Sequence, residues 1–190
     1  MLFQFVQVLY WLSLATWFGG VLFVAVAAPV IFRTINEADP TLPRVLSVNL
    51  DKQHSTLLAG SIVANLLNIL VRVQLICAAA LCATMIVQWI YLDYTSRTHL
   101  FAAILRGAMF VAAVGFAVYD WLVVWPRVTR FRQEYIDHAD EPDIANPAKE
   151  NFDRYQDESV TVLRNILFLL LGIILFSGDI SARVLTVKYG

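Results

Sequence analysis

The residues that could do chemistry in this chain are a few charged and amide side chains placed inside long apolar stretches. They are Arg72, Arg106, Asp120 and Arg164, accompanied by Asn65 and Asn68. Ionisable groups within a membrane are costly and are usually paired or functional. Asp120 and Arg164 lie near the predicted cytoplasmic ends of their segments. The sequence therefore favours an ion pair between the two helices, or side chains that snorkel to the headgroups. A relay for protons or ions is the less favoured alternative. Arg72 and Arg106 are predicted to snorkel to an interface.

The histidines do not form a metal or haem site in this pattern. No two of His54, His99 and His138 are spaced four residues apart on one helix, and the first two fall on opposite membrane sides in the topology predicted below. A single histidine, His54 or His99, could still ligate a bound pigment. The chain has no phosphate-binding loop, nucleophile elbow, CxxC or HExxH motif. We therefore predict no catalytic residue, no metal site and no cofactor.

The composition is that of a membrane protein. The 190 residues are 59% hydrophobic and 15% charged, whereas a soluble domain is about 45–50% apolar and about 25% charged. The net charge of −1 argues against a nucleic-acid partner, which requires a basic face. No Lys or Arg precedes Val8, so the first apolar stretch is predicted to be a mature helix, not a signal peptide.

The apolar stretches predict an all-α, integral membrane four-helix bundle in a single domain, residues 1–190. About 20 apolar residues cross the hydrocarbon core, and four stretches meet that length or come close to it. The predicted spans are about 3–32, 69–92, 100–125 and 160–177. Pro29 is predicted to kink or end the first helix.

The second stretch is too long for one crossing. From Ser55 to Tyr91 it holds one charge, Arg72, and a straight helix of that length would measure about 56 Å. In the preferred alternative, the helix extends into the cytoplasm at its N-terminal end and spans the membrane over residues 69–92. In the other alternative, residues 57–71 enter the membrane and Arg72 is buried.

Residues 127–157 form the one sizeable polar region. We predict a short helical extension over 127–135, and then an acidic loop interrupted by Pro142 and Pro147. A new helix is predicted to start near 147–152. The acidic spacing lacks the EF-hand pattern, so the loop is interpreted as a solvated face.

Charge asymmetry predicts the orientation. The loops 33–55 and 127–157 carry eight Lys and Arg residues, whereas the N-terminus, the turn at 93–99 and the C-terminal tail carry three. The positive-inside rule then places both loops in the cytoplasm and both termini outside. The predicted location is the cell inner membrane, crossed several times.

Three groups of motifs carry a family resemblance. The first is Trp17-Phe18-Gly19-Gly20 with Ala28-Pro29 and Phe32-Arg33; the second is Trp125-Pro126-Arg127 with Phe131-Arg132; the third is Phe152-Asp153-Arg154-Tyr155 with Ser159 and Asn165. Over about residues 10 to 176 the chain resembles the transmembrane protein 205 family and its uncharacterised bacterial relatives. The resemblance implies a four-helix membrane fold and no defined activity. Where that family often has Leu-His, this chain has Tyr155-Gln156, so any chemistry of that histidine is absent here.

Two neighbouring families share the Trp-x-Gly-Gly opening of the first helix. One is that of the copper-resistance inner-membrane proteins, and the other is the membrane protoporphyrinogen oxidase, which requires a histidine in that helix. Tyr10 and Trp11 stand in the corresponding region here. The resemblance therefore argues against haem-linked oxidase chemistry.

The leading functional hypothesis is a non-catalytic scaffold or accessory subunit of a larger membrane assembly. Its expected partners are the lipid bilayer and other membrane subunits or a second copy of the chain, because small and aromatic residues suited to helix contacts are frequent. The alternatives are a small transporter that handles ions or metals, motivated by the intramembrane charges, and a membrane enzyme with a bound tetrapyrrole.

Overall fold

The structure, a computed structural model, describes residues 2–38, 54–91, 97–138 and 141–189. In these ranges the chain forms long helices and no strand. The elements are α1 (Leu2–Ala38), α2 (His54–Tyr91), α3 (Arg97–Tyr119), a π-helical turn (Asp120–Val124), α4 (Trp125–Asp137) and α5 (Pro142–Tyr189).

Four helical rods are long and apolar enough to cross a membrane. They cover Phe3–Ile35, Leu58–Ile90, Leu100–Asp137 and Pro142–Gly178. The predicted all-α, four-helix membrane fold is confirmed. Each rod is longer than the span predicted for it, and the cytoplasmic extension of the second helix stays a prediction.

The helices associate as two pairs. α1 packs along the length of α2, and α3 and α4 pack along α5; α1 joins the pairs by contacting α5, whereas α2 and α3 barely touch. Gly20 allows close approach in the first pair, since a Cβ added there would lie 3.2 Å from Leu70 Cδ1. Small residues at such contacts are what lipid-embedded helices need in order to pack.

A single apolar core joins the two pairs. The buried face of α1 repeats at helical spacing through Tyr10, Leu14 and Trp17, and it meets α3 and α5. The Trp17 ring stands edge-on to the Phe110 ring, with centroids 6.5 Å apart. This aromatic contact lies midway along the bundle and fills its interior there.

Pro126 explains the π-helical turn that separates α3 from α4. Proline has no N–H, and its ring clashes with the carbonyl four residues earlier, so an unbroken α-helix would be strained there. The chain takes one wider turn instead, in which the Trp125 N–H bonds to the Asp120 carbonyl. A π-helical turn accommodates one extra residue. Asp120, the first residue of this turn, continues the buried face of α3 that Ala113 and Ala117 belong to.

Arg72 is exposed on a continuous α2. It lies within Leu58–Ile90, the part of α2 that is apolar enough to cross a membrane, so both alternatives for this segment stay predictions. The polar region 127–157 is helical over most of its length, and Asp137 ends α4 while Asp143 lies in the first turn of α5. An acidic residue in a first turn is stabilised by the helix dipole. Asp140 lies outside the described residues.

Two helices continue through a proline, and of the two alternatives for Pro29 the helix end is wrong. α1 continues past Pro29 to Ala38, and α5 continues through Pro147. Pro147 lies close to the start of α5, and the Asn151 side chain donates a hydrogen bond of 2.9 Å to its carbonyl. The packing of neighbouring helices compensates for the lost backbone bond.

The contact between α3 and α5 depends on Gly172. A Cβ added at Gly172 would overlap Met109 Sδ, whereas one added at Gly115 would meet nothing within 4 Å. We expect Gly172→Val to lower the free energy of unfolding in detergent by about 1–3 kcal/mol through overpacking. Gly115→Val is the control, and Met109→Ala should restore part of the loss in the double variant. Equal stability of the two valine variants would contradict this packing.

Candidate functional site

The two ends of the bundle differ in character. The end that contains Arg33 and Arg127, called the basic end here, also carries Trp121 and Trp125. Tryptophan is enriched where membrane meets water, so these rings mark the depth of one interface. The opposite end, where α1 and α3 begin and α2 ends, is called the terminal end.

A cavity of about 420 Å³ lies near the basic end, between α1 and α2 on one side and α4 and α5 on the other. Apolar side chains form most of this basic-end cavity, among them Val24, Phe32, Leu67 and Leu163. It exists because the two helix pairs diverge there. A cavity of this size falls within the range of about 300–1,000 Å³ that is typical of small-molecule sites.

The polar wall of the basic-end cavity comes from α5. Gln156, Ser159 and Arg164 line it. The Ser159 hydroxyl donates a hydrogen bond of 2.9 Å to Asp120 Oδ1, and both side chains are buried. Asp120, the first residue of the π-helical turn, thus connects to the cavity wall through Ser159.

The structure does not bring Asp120 and Arg164 together as an ion pair. Asp120 faces Ser159, whereas Arg164 is exposed. Five residues separate Ser159 from Arg164, and five helical steps turn the side chain through about 140°. The sequence predicts that Asp120 and Arg164 lie at similar depth. It does not predict which face of α5 packs against α3.

A second polar cluster lies near the terminal end. Arg106 is 3% exposed, and its guanidinium lies 5.6 Å from the centroid of the Tyr10 ring. The Tyr10 hydroxyl is hydrogen-bonded to Ser177 Oγ, which donates to the Ile173 carbonyl. Arg106 is therefore an interior residue of the bundle, and its position at an interface stays a prediction.

Arg106 has incomplete polar compensation. Its Nε is buried without a hydrogen-bond partner, and no carboxylate among the described side chains forms an ion pair with it. Attraction to the face of an aromatic ring offsets part of the cost of a buried cation. Nearby, Gln88 Nε2 donates to Gln7 Oε1 at 3.3 Å.

Sequence reasoning missed most of this second cluster. Tyr10, Ser177, Gln7 and Gln88 are single polar groups in apolar stretches, and nothing in the sequence shows that they meet. One signal was present: Tyr10 belongs to the same helical repeat as Leu14, which is fully buried. A hydroxyl on such a face requires an internal partner.

The polar residues predicted on α2 lie away from both clusters. Asn65, Asn68 and Arg72 are exposed on α2. Their spacing of three and four residues places them along one side of the helix. They are available for contact with water, headgroups or another protein.

Aromatic stacking fixes α4 against α5 at the basic end. The Phe131 and Tyr155 rings are stacked with centroids 5.6 Å apart, and the Arg127 guanidinium lies 5.3 Å from the Tyr155 centroid. Tyr155 thus has a packing role, while Gln156, the next residue, lines the cavity.

Of the three histidines, the structure describes the side chain of His138 alone. His138 follows α4, and its Nδ1 lies 3.8 Å from Glu141 Oε2. The side chains of His54 and His99 lie outside the described residues, so a pigment ligand at either stays a prediction. Within the described ranges, no three His, Cys, Asp or Glu side chains are grouped to hold a metal. Cys77 is buried and Cys82 is exposed, both as free thiols.

A family model described as a domain of unknown function, DUF4149, matches residues 12–136. The chain belongs to this family. No curated protein and no solved structure matches the chain. The finer resemblance to transmembrane protein 205 stays a prediction.

The link between Asp120 and Ser159 gives a test of the site. Asp120→Ala removes the acceptor and leaves a buried hydroxyl unsatisfied, so we expect the free energy of unfolding in detergent to fall by about 1–3 kcal/mol. Asp120→Asn keeps an acceptor oxygen and should cost less. Asp157→Ala, at an exposed position of α5, is the control. If Asp120→Ala and Asp157→Ala unfold alike, Asp120 does not stabilise this junction.

Proposed function

We propose that this DUF4149 protein is a non-catalytic scaffold or accessory subunit of a larger membrane assembly, and that a partner protein covers its terminal end. The observation that carries the proposal is the length of its exposed apolar surface. That surface continues along α1 and α2 farther than the hydrocarbon core of a bilayer extends.

The lengths can be compared directly. The apolar parts of α1 and α2, Phe3–Ile35 and Leu58–Ile90, have 33 residues each, which is about 50 Å of helix. The hydrocarbon core is about 30 Å thick. Membrane helices tilt by up to about 40°, and even that tilt leaves about 8 Å of apolar helix outside the core.

The apolar helix that the hydrocarbon core does not cover lies at the terminal end. This follows from placing the membrane interface of the basic end at its tryptophans. Phe32 lines the same cavity as Trp125, which marks that interface. About 20 residues span the core, so counting back along α1 from Phe32 reaches Leu12. The first turns of α1, the last turns of α2 and the first turns of α3 then lie beyond the core.

These turns carry a group of exposed apolar side chains, called the terminal collar here. Its members are Phe5, Val8, Ile86, Ile90, Phe101 and Ile104, which are 56–72% exposed. Large exposed apolar patches mark interaction sites, because water does not solvate them favourably. The polar cluster around Arg106 lies at about the same level, which agrees with headgroup depth. A partner protein would remove the terminal collar from water.

The distribution of charge supports a packing role over transport. Arg106 lies toward the terminal end and Asp120 toward the basic end, and the apolar contact of Trp17 with Phe110 lies between them. Arg72 and Arg164 are exposed. The described charges therefore do not follow one another along an interior path. A small transporter and a tetrapyrrole-linked enzyme stay as alternative predictions.

The proposal predicts a loss of partners on changing the terminal collar. The double variant Val8→Ser with Ile90→Ser should reduce the amount of partner that co-purifies from native membranes in mild detergent by about tenfold, because it weakens the apolar contact. The readout is mass spectrometry of the purified material, with an absorbance scan to detect any bound pigment.

The control variant changes the same residue types at similar exposure as the terminal-collar variant, but its positions lie at mid-bilayer depth. It is the double variant Ile76→Ser with Val111→Ser, at side chains 70% and 69% exposed. Serine is tolerated in membrane helices, so this control should keep its partners. A protein that purifies alone before any substitution, or equal loss from both double variants, would overturn the proposal.

A further inference from the structure

The basic-end cavity has the shape and chemistry of a site for one chain of an amphiphile. Its walls are apolar side chains from α1, α2 and α5, and its volume is about 420 Å³. It lies between two helix pairs at the level of Trp125, so it is reached from the lipid on that side. A transmembrane helix is about 10–12 Å wide and is too thick to enter such a space.

The polar groups at this cavity are not equivalent. The Ser159 hydroxyl is used by Asp120, which leaves Gln156 and Arg164 to face a ligand. Arg164 is exposed, and it forms no ion pair with any carboxylate in the described ranges. A guanidinium presents a rigid fork of donors that matches the geometry of a phosphate. The cavity therefore pairs an apolar interior with one available cation.

We propose that the basic-end cavity binds an anionic phospholipid from the adjacent leaflet. One acyl chain occupies the cavity, and the headgroup phosphate contacts Arg164. Basic pockets between membrane helices on the cytoplasmic side commonly hold anionic headgroups. This inference does not depend on the partner proposed for the terminal end.

The test is lipid binding by the full chain in mild detergent, followed by native mass spectrometry. Phosphatidylglycerol and phosphatidylcholine with identical acyl chains are titrated separately. The unchanged protein should bind phosphatidylglycerol more tightly. Arg164→Gln should raise the Kd for phosphatidylglycerol about fivefold, the effect of one basic residue near a membrane surface. It should raise the Kd for phosphatidylcholine by less, because the choline cation offsets the charge of the phosphate.

Two matched controls distinguish binding of the lipid headgroup from binding of the acyl chain. Arg72→Gln removes another exposed arginine that does not line the cavity, and it should change neither Kd. Ala28→Phe fills the cavity and should weaken both lipids at least tenfold, whereas Ala27→Phe, outside the lining, should not.

The exposed position of Arg164 keeps the first comparison independent of folding. Three results would each overturn the proposal. They are equal effects of Arg164→Gln and Arg72→Gln on phosphatidylglycerol, equal effects of Ala28→Phe and Ala27→Phe, and no preference of the unchanged protein for the anionic lipid.

Discussion

A membrane-spanning helix of 33 residues is longer than the hydrocarbon layer that has to cover it. α1 and α2 both have this length in Phe3–Ile35 and Leu58–Ile90, about 50 Å against a core of about 30 Å. The bilayer therefore covers part of the bundle, and the remainder must tilt, project into water or meet another protein. The terminal collar and the partner proposed for it both follow from this mismatch in length.

The thickness of the hydrocarbon core also bears on where the buried charged side chains lie. Arg106 and Asp120 are both buried, but each lies toward an end of the bundle and away from its middle. Each has a local partner: the Tyr10 ring lies against the cation, and Ser159 donates a hydrogen bond to the carboxylate. Apolar contacts fill the space between them. The bundle thus has two polar ends separated by an apolar middle.

The fold could be predicted further than the site. Long apolar stretches indicate membrane helices because lipid requires every backbone group to be bonded within the helix. The same requirement explains why α1 continues past Pro29, since the packing of neighbouring helices outweighs this local signal. The site depended on which faces of the helices meet. Asp120 is hydrogen-bonded to Ser159 and not paired with Arg164, which lies five residues farther along α5 and points in another direction. The sequence alone does not predict this partner, because it does not show which face of α5 meets α3.

The most direct test of the central claim is the depth of the terminal collar in a bilayer without partners. Single cysteines at Val8, Ile90, Ile76 and Val111, in a chain with Cys77→Ala and Cys82→Ala, would be reacted with a water-soluble maleimide in reconstituted liposomes. The account predicts rapid labelling at Val8 and Ile90 and protection at Ile76 and Val111, because only the first two project beyond the hydrocarbon core. Equal protection of all four positions would show that the bilayer covers the full length of the bundle, and would contradict the account.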